Sequence, residues 1–155
     1  MHCRSARHHQ HGFTLTELII GVALIGVLTA VAAPNMFSQL PRYRLNGAAR
    51  QVMGELIAAR MKAISQNTTV KVFFQDTHRY TICSVPSKDS ALTDCIGPVK
   101  ARDVQTDYRN VTLTANNNPV FLSRGTATNM ATMTLANASG SKNITISIAG
   151  RIKIH

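Results

Sequence analysis

The sequence predicts an α+β fold in which a long N-terminal helix packs on an antiparallel β-sheet. An uninterrupted apolar run covers residues 19–33, and a second segment, 42–67, places small apolar residues at helical spacing. From residue 68 onward the apolar period changes to two, and turn-forming Asn, Gly and Pro clusters separate short segments. With 155 residues the chain supports one modest domain and one membrane-length segment.

Residues 1–12 are polar and basic and contain nothing that could form a core. We interpret them as a short targeting leader that stays in the cytosol, because Arg4 and Arg7 precede an apolar segment. Metal binding is the weaker alternative, and it would use His2, His8, His9 and His11.

The apolar segment from Phe13 to Ala33 is long enough to cross a bilayer. Its twenty-one residues would extend about 30 Å as a helix. A cleaved signal peptide is the competing interpretation, since residues 30–33 consist of small residues, although the apolar core of a signal peptide is normally shorter.

The helical pattern resumes after Pro34 and Pro41, and we expect one long helix that bends at proline and ends near Gln66 and Asn67. Its buried stripe is predicted to contain Leu45, Ala48, Ala49, Val52, Leu56, Ala59 and Ala63.

The remaining residues are predicted to form the strands of a single sheet. The expected strands cover residues 70–74, 79–83, 111–114, 120–122, 131–135, 143–148 and 151–155. Residues 84–108 are expected to be a loop region with at most one short strand, near residues 96–101.

Three cysteines are present, and Cys83 and Cys95 are expected to form a disulfide if this region is exported. A redox switch is the functional alternative for this pair. Zinc is not expected, because no second pair or nearby histidine cluster completes four ligands.

The chain has 17 basic and 7 acidic residues, which gives a formal charge of +10. This surplus fits a solvated basic surface, or a partner such as nucleic acid, anionic lipid or an acidic protein. The candidate DNA-binding cations of the expected C-terminal sheet are Arg124, Lys142, Arg151 and Lys153.

Arg151 and Lys153 would share the outer face of the last strand, with Ile152 and Ile154 facing inward. Cations so placed can follow phosphates and bind DNA in a salt-dependent manner. The equally weighted alternative is an edge strand whose cations prevent edge-to-edge pairing. No aromatic platform accompanies them, so double-stranded rather than stacked single-stranded DNA is the expected ligand.

No enzymatic activity is expected. The sequence has no Gly-rich phosphate loop, no His-Glu metal helix and no nucleophile elbow. Outside the leader, His78 and His155 have no evident acid or nucleophile partners. We therefore expect no cofactor, no metal and no small-molecule substrate.

The stretch from Gly12 to Glu17 resembles the cleavage and methylation motif of type IV pilins and pseudopilins. The resemblance implies that a prepilin peptidase removes the leader after Gly12 and that Phe13 becomes the methylated N-terminus. It also implies that Glu17 acts in assembly, paired with the amino group of a neighbouring subunit's Phe13, and that Pro34 is the helix kink. Glu17 could alternatively be a hydrated acid at the bilayer edge. Thr16 departs mildly from the usual aliphatic residue.

Three further stretches resemble the GspH/FimT family of minor pilins and pseudopilins. They are the Leu-x-x-Ala-Arg-x-x-Ala helix at 56–63, the Phe-x-x-x-Gly segment that begins at Phe121, and the Gly-Arg-x-basic ending at 150–153. In the FimT branch this ending is associated with DNA capture, and Lys153 here replaces its last arginine, which keeps the charge but loses the bidentate fork. The Gly-Trp stretch of the secretion branch has no match.

The family implies a pilin-like structural subunit at the initiating or tip region of a type IV pilus. DNA uptake is a candidate duty, and other pilins are the expected partners. The alternative is pseudopilin H of a type II secretion system. We expect a leader at 1–12, a membrane and filament-core segment at 13–41, and a periplasmic head at 42–155, with helix 42–67 and a β-region 68–155. The precursor would lie in the bacterial inner membrane with its N-terminus in the cytoplasm.

Overall fold

The computed structural model describes residues 13–155, including every side chain except those of residues 31–35 and 37. The expected leader, with Gly12 and the four histidines, lies outside the described residues, as does the side chain of Pro34. The chain divides into two compact units with the boundary between Gln39 and Leu40.

One long helix dominates the N-terminal part of the chain. Helix α1 covers Leu15–Ser65, and its end agrees with the predicted position. The helix stops where Asn67 adopts a left-handed conformation with φ of 48°, while the amide of Thr68 bonds back to the carbonyl of Ala63. In the part of the chain whose side chains are described, no helix is long and apolar enough to span a membrane.

The rest of the chain forms two four-stranded antiparallel sheets. The first has the order β3-β2-β1-β5, with β1 Thr69–Phe74, β2 Arg79–Val85, β3 Ile96–Asp103 and β5 Val120–Phe121. The second has the order β4-β6-β7-β8, with β4 Thr112–Ala115, β6 Ala131–Asn137, β7 Gly140–Ile146 and β8 Ile152–Ile154. A 3-10 turn at Leu92–Asp94 and helix α2 at Val104–Asp107 complete the elements.

The α+β prediction is confirmed, but the expected single sheet is two sheets. Two asparagines in the connection between β4 and β5 bond to strand amides, one in each sheet. The side-chain oxygen of Asn116 accepts from the amide of Thr132 at 2.7 Å, and that of Asn118 accepts from the amide of Phe74 at 3.1 Å. These bonds attach the connection between β4 and β5 to a strand of each sheet.

The predicted helical stripe is confirmed as the helix side of the core, since all seven of its residues are buried. Against it pack side chains of both sheets, among them Val70, Val72, Ile82, Phe121, Leu113, Met133, Leu135, Ile144 and Ile146. Alanines at four of the seven stripe positions allow the sheets to lie close to the helix backbone.

The expected loop at 84–108 contains more structure than predicted. Strand β3 extends over eight residues and helix α2 follows it directly. Most of β3 is exposed, so the sequence shows no alternation of apolar and polar residues there. Its position depends instead on hydrogen bonds to β2, interrupted by a register shift between Ile82 and Ser84.

Candidate functional site

The start of helix α1 holds Glu17 in a capped first turn. The hydroxyl of Thr14 accepts from the backbone amide of Glu17 at 3.3 Å, which is an N-cap interaction. A carboxylate in the first turn also lies at the positive end of the helix dipole. Glu17 therefore has a favourable position within its own helix, besides any role between subunits.

The first turns of helix α1 carry an uncovered apolar surface. Large apolar side chains are exposed at Phe13, Leu15, Leu18, Ile19, Ile20, Val22, Leu24, Ile25, Val27 and Leu28. Thr29, farther along, has its hydroxyl bonded to the carbonyls of Ile25 and Gly26, so it presents no unpaired donor. An exposed apolar surface of this length is typical of an interaction surface.

Two of the four candidate DNA-binding cations lie together. Arg151 and Lys153 line one groove of about 460 Å³ with Met130, Thr145, Ile146, Ser147 and Ala149. Both cations are exposed, whereas Ile152 and Ile154 pack against the core. Lys153 lies opposite Thr145 of β7 in the register, and His155 contacts the Thr145 hydroxyl at 3.2 Å. The lining includes no carboxylate.

Of the other two candidates, Lys142 lies in the C-terminal sheet as predicted, whereas Arg124 does not. Arg124 is not in the C-terminal sheet; it lies in the connection between β5 and β6. Lys142 is in β7, but it shares the core-facing side with Ile144 and Ile146 because side chains alternate along a strand. Its side chain lines a separate pocket with Arg42, Leu45, Asn46, Ser139, Gly140 and Ser141. The four cations thus do not form one continuous face.

A junction unites the three stretches that carry the family resemblance. The Nε of Arg60, in the helix, donates to the carbonyl of Gly125 at 2.7 Å. Gly150, with φ of +75°, lies so close that a Cβ there would collide with the same carbonyl oxygen and lie 2.9 Å from Arg60 Nε. Only glycine fits this position. The helix and the two glycine turns are therefore packed at one point.

Glu55 is a buried acid that the sequence analysis did not identify. It accepts from the hydroxyl of Tyr80 at 2.8 Å and from Arg102 Nε at 2.9 Å, and Lys100 Nζ lies 3.2 Å away. Burial, and then the hydrogen bond to Glu55, raise the pKa of Tyr80 well above its usual value. Glu55 precedes Leu56 on the buried side of the helix, and this position is the signal that could have predicted its burial.

The disulfide and a lysine together hold the segment between β2 and β3. Cys83 and Cys95 are bonded, with their Cα atoms 5.6 Å apart. Lys71 Nζ donates to the carbonyls of Ser90 at 2.8 Å and Lys88 at 3.1 Å. These bonds connect the segment to strands β1 and β2 at two separate points.

His78 has an acid partner, contrary to the expectation. His78 Nδ1 lies 3.2 Å from Asp103, whose carboxylate also caps helix α2 by accepting from the amide of Gln105. This pair supports the start of a helix, and no nucleophile contacts it among the described residues. Within residues 13–155, no group of His, Cys, Asp and Glu could hold a metal ion.

Comparisons with known proteins agree with the geometry. Residues 48–150 match the family model described as type II transport protein GspH, and residues 7–33 match the prokaryotic N-terminal methylation motif. The type IV minor pilin FimU of Pseudomonas aeruginosa is similar in structure, with a TM-score of 0.59 and 23% identity over 74% of this chain and 90% of FimU. A second crystal form of FimU gives a TM-score of 0.56 and 22% identity over 72% of this chain and 92% of that one.

The minor pseudopilin EpsH of the Vibrio cholerae type 2 secretion system is also similar, with a TM-score of 0.58 and 13% identity over 72% of this chain and 96% of EpsH. A comparison with curated protein sequences gives no match. At these identities the solved structures establish the fold, and the family model establishes the family.

Proposed function

Since this chain belongs to the GspH family, as a minor pilin or pseudopilin of the GspH/FimT type, we propose that it is a structural subunit in the initiating or tip region of a type IV pilus. The family is structural and not enzymatic. The match to the N-terminal methylation motif implies a prepilin peptidase and other pilins as partners.

The observation that carries this proposal is the uncovered apolar surface between Phe13 and Leu28. A single chain gains nothing from ten exposed apolar side chains in water, whereas a membrane or a bundle of similar helices would cover them. We propose that residues 1–12 are removed, that 13–41 anchor the precursor in the inner membrane and later pack in the filament, and that 42–155 form the periplasmic head. Pro34 would supply the bend between the two helix halves.

Glu17 provides the test of this proposal. In a filament its carboxylate would be neutralised by the amino group of a neighbouring Phe13, because an unpaired carboxylate is costly where water is excluded. We expect Glu17→Ala to be inserted and processed normally but to co-purify poorly with the major pilin. Asp89→Ala, which removes an exposed acid of the head, is the matched control. Normal recovery of the Glu17 variant with the major pilin would contradict the assembly role.

DNA binding is the second candidate function, supported by the exposed cations Arg151 and Lys153 in a groove without a carboxylate. Such a surface binds duplex DNA mainly through phosphates, so its affinity falls steeply as salt rises. We expect the detergent-solubilised full-length chain to bind duplex DNA at low salt and Arg151→Ala/Lys153→Ala to lose this binding. Absence of binding at low salt would favour a purely structural subunit, or the secretion pseudopilin as the alternative.

The pilus and secretion assignments differ in the filament that contains the chain. Affinity purification of the tagged chain from cells that express both systems should recover type IV pilins and not pseudopilins. Recovery of pseudopilins alone would reverse the assignment.

A further inference from the structure

A recess next to the groove contains two arginines from different parts of the chain. Arg60 of helix α1 and Arg151 of the turn before β8 line a cavity of about 420 Å³ with Ile57, Ala149, Gly150 and Ile152. None of the six lining residues is acidic. Two cations that line one recess without an acid favour the binding of an anion there.

The two guanidinium groups have no anionic partner among the described residues. Arg60 uses Nε to bond the carbonyl of Gly125, which restrains its guanidinium and leaves both terminal nitrogens free of protein partners in residues 13–155. Arg151 bonds to Ser147 through its backbone: its amide donates to the Ser147 hydroxyl at 3.2 Å, and its carbonyl accepts from the Ser147 amide at 3.0 Å. Its guanidinium has no hydrogen-bond or ion-pair partner among residues 13–155. Glu55 is engaged with Arg102, and Asp76 is engaged with Arg79.

The recess and the groove are neighbours, because Ala149 and Arg151 line both. Three cations therefore follow one path from the helix to the last strand, in the order Arg60, Arg151, Lys153. A fixed guanidinium with two free nitrogens matches the oxygens of a phosphate better than a mobile lysine does. No aromatic side chain lines either cavity, so stacked bases have no support there.

We propose that the Arg60–Arg151 recess binds one phosphate group of a duplex nucleic acid whose backbone crosses the groove. Arg60, a helix residue, is then a phosphate-contacting residue of this surface. The proposal rests on the DNA binding proposed above and extends the DNA-binding surface from strand β8 to helix α1. Gly150 keeps the recess open, since a side chain at this position would meet Arg60.

The test measures binding of a twenty-base-pair duplex by the detergent-solubilised full-length chain over a salt series. Arg60→Gln removes the charge and retains an amide that can reach the Gly125 carbonyl. We expect about tenfold weaker binding at low salt and a salt slope smaller by about one. Arg109→Gln removes an exposed arginine that lines neither cavity, and its slope should equal that of the unaltered chain.

Chemical modification of the unaltered chain gives a measurement that does not depend on the folding of a variant. Phenylglyoxal modifies accessible arginines, and peptide mass spectrometry reports each site. We expect the duplex to protect Arg60 and Arg151 while Arg109 is modified at an unchanged rate.

Several outcomes would overturn the proposal. If Arg60→Gln binds like the unaltered chain, or if Arg60 is not protected while Arg151 is, the recess holds no phosphate although the strand binds DNA. If Arg60→Gln retains DNA binding but no longer co-purifies with pilins, the recess takes a carboxylate of a partner subunit. If the unaltered chain does not bind the duplex at low salt, the DNA-binding function fails together with this inference.

Discussion

Tyr80 donates its hydroxyl hydrogen to Glu55 across the interface between helix α1 and the first sheet, at 2.8 Å and with both side chains buried. Removing the acceptor leaves a buried hydroxyl without a partner and leaves Arg102 without its carboxylate. We therefore expect Glu55→Ala to lower the free energy of unfolding by about 2–3 kcal/mol. Tyr80→Phe, which removes the donor alone, should cost about 1 kcal/mol. Urea unfolding of the full-length chain in detergent measures both losses. Equal losses would mean that the interactions of Arg102 and Lys100 with Glu55 contribute nothing to stability.

The same pair predicts a loss of stability at alkaline pH. The pKa of Tyr80 is raised in the folded chain from its usual 10.0, chiefly by burial. A raised pKa contributes stability that is complete below the unfolded value and is lost as the pH rises above it. Between pH 10 and 11.5 the free energy of unfolding should fall by up to about 1.4 kcal/mol per pH unit more in the unaltered chain than in Tyr80→Phe. Tyr43→Phe, at an exposed tyrosine, should retain the full pH dependence.

Gly150→Ala should destabilise the head more than alanine at another glycine of the same backbone conformation. Gly150 and Gly97 have φ of +75° and +76°, but a Cβ at Gly97 would meet nothing within 4 Å. Gly97→Ala should thus cost only the energy of holding alanine in a left-handed backbone conformation, about 1 kcal/mol. Gly150→Ala adds the collision with the Gly125 carbonyl and should cost at least about 2 kcal/mol. Thermal unfolding compares the two, and equal midpoints would show that the turn at Gly150 moves aside without cost.

Reduction of the disulfide should weaken the segment between β2 and β3. Cys83 and Cys95 are 12 positions apart, and closing a loop of this size stabilises by about 3 kcal/mol in the chain-entropy model. Reductant should lower the free energy of unfolding by about that amount and speed amide exchange at residues 86–95. The double variant Cys83→Ala/Cys95→Ala should not respond to reductant. Non-reducing mass spectrometry that found free thiols in the purified chain would remove the basis of this prediction.

The sequence is sufficient to predict the helices and strands in which apolar residues recur at a regular spacing. The helical stripe from Leu45 to Ala63 was predicted because its spacing alone determines which side is buried. Strand β3 was underestimated because its side chains are nearly all exposed and its pairing with β2 leaves no apolar pattern. The division into two sheets has no signal in the sequence, because alternation within a strand does not show which strands pair.

The candidate site was predicted less completely than the fold. Arg151 and Lys153 were placed on one face because residues two apart on a strand point the same way. Lys142 was grouped with them, although its even-numbered position in β7 directs it toward the core side with Ile144. Arg60 could not be joined to this surface, because local spacing does not show that residues 60, 125 and 150 meet in space.

The bond between Arg60 and Gly125 also constrains the order in which the head folds. It joins residues 65 positions apart, and the turn at Gly150 packs on the same point. Contacts of such long sequence separation form late, since the entropy of loop closure must be overcome before they stabilise the chain. Helix α1 and the β1–β2 hairpin can therefore form while the chain is still emerging. The contact with Gly150 can form only once that part of the chain is present, so we expect the last strand to dock late in folding.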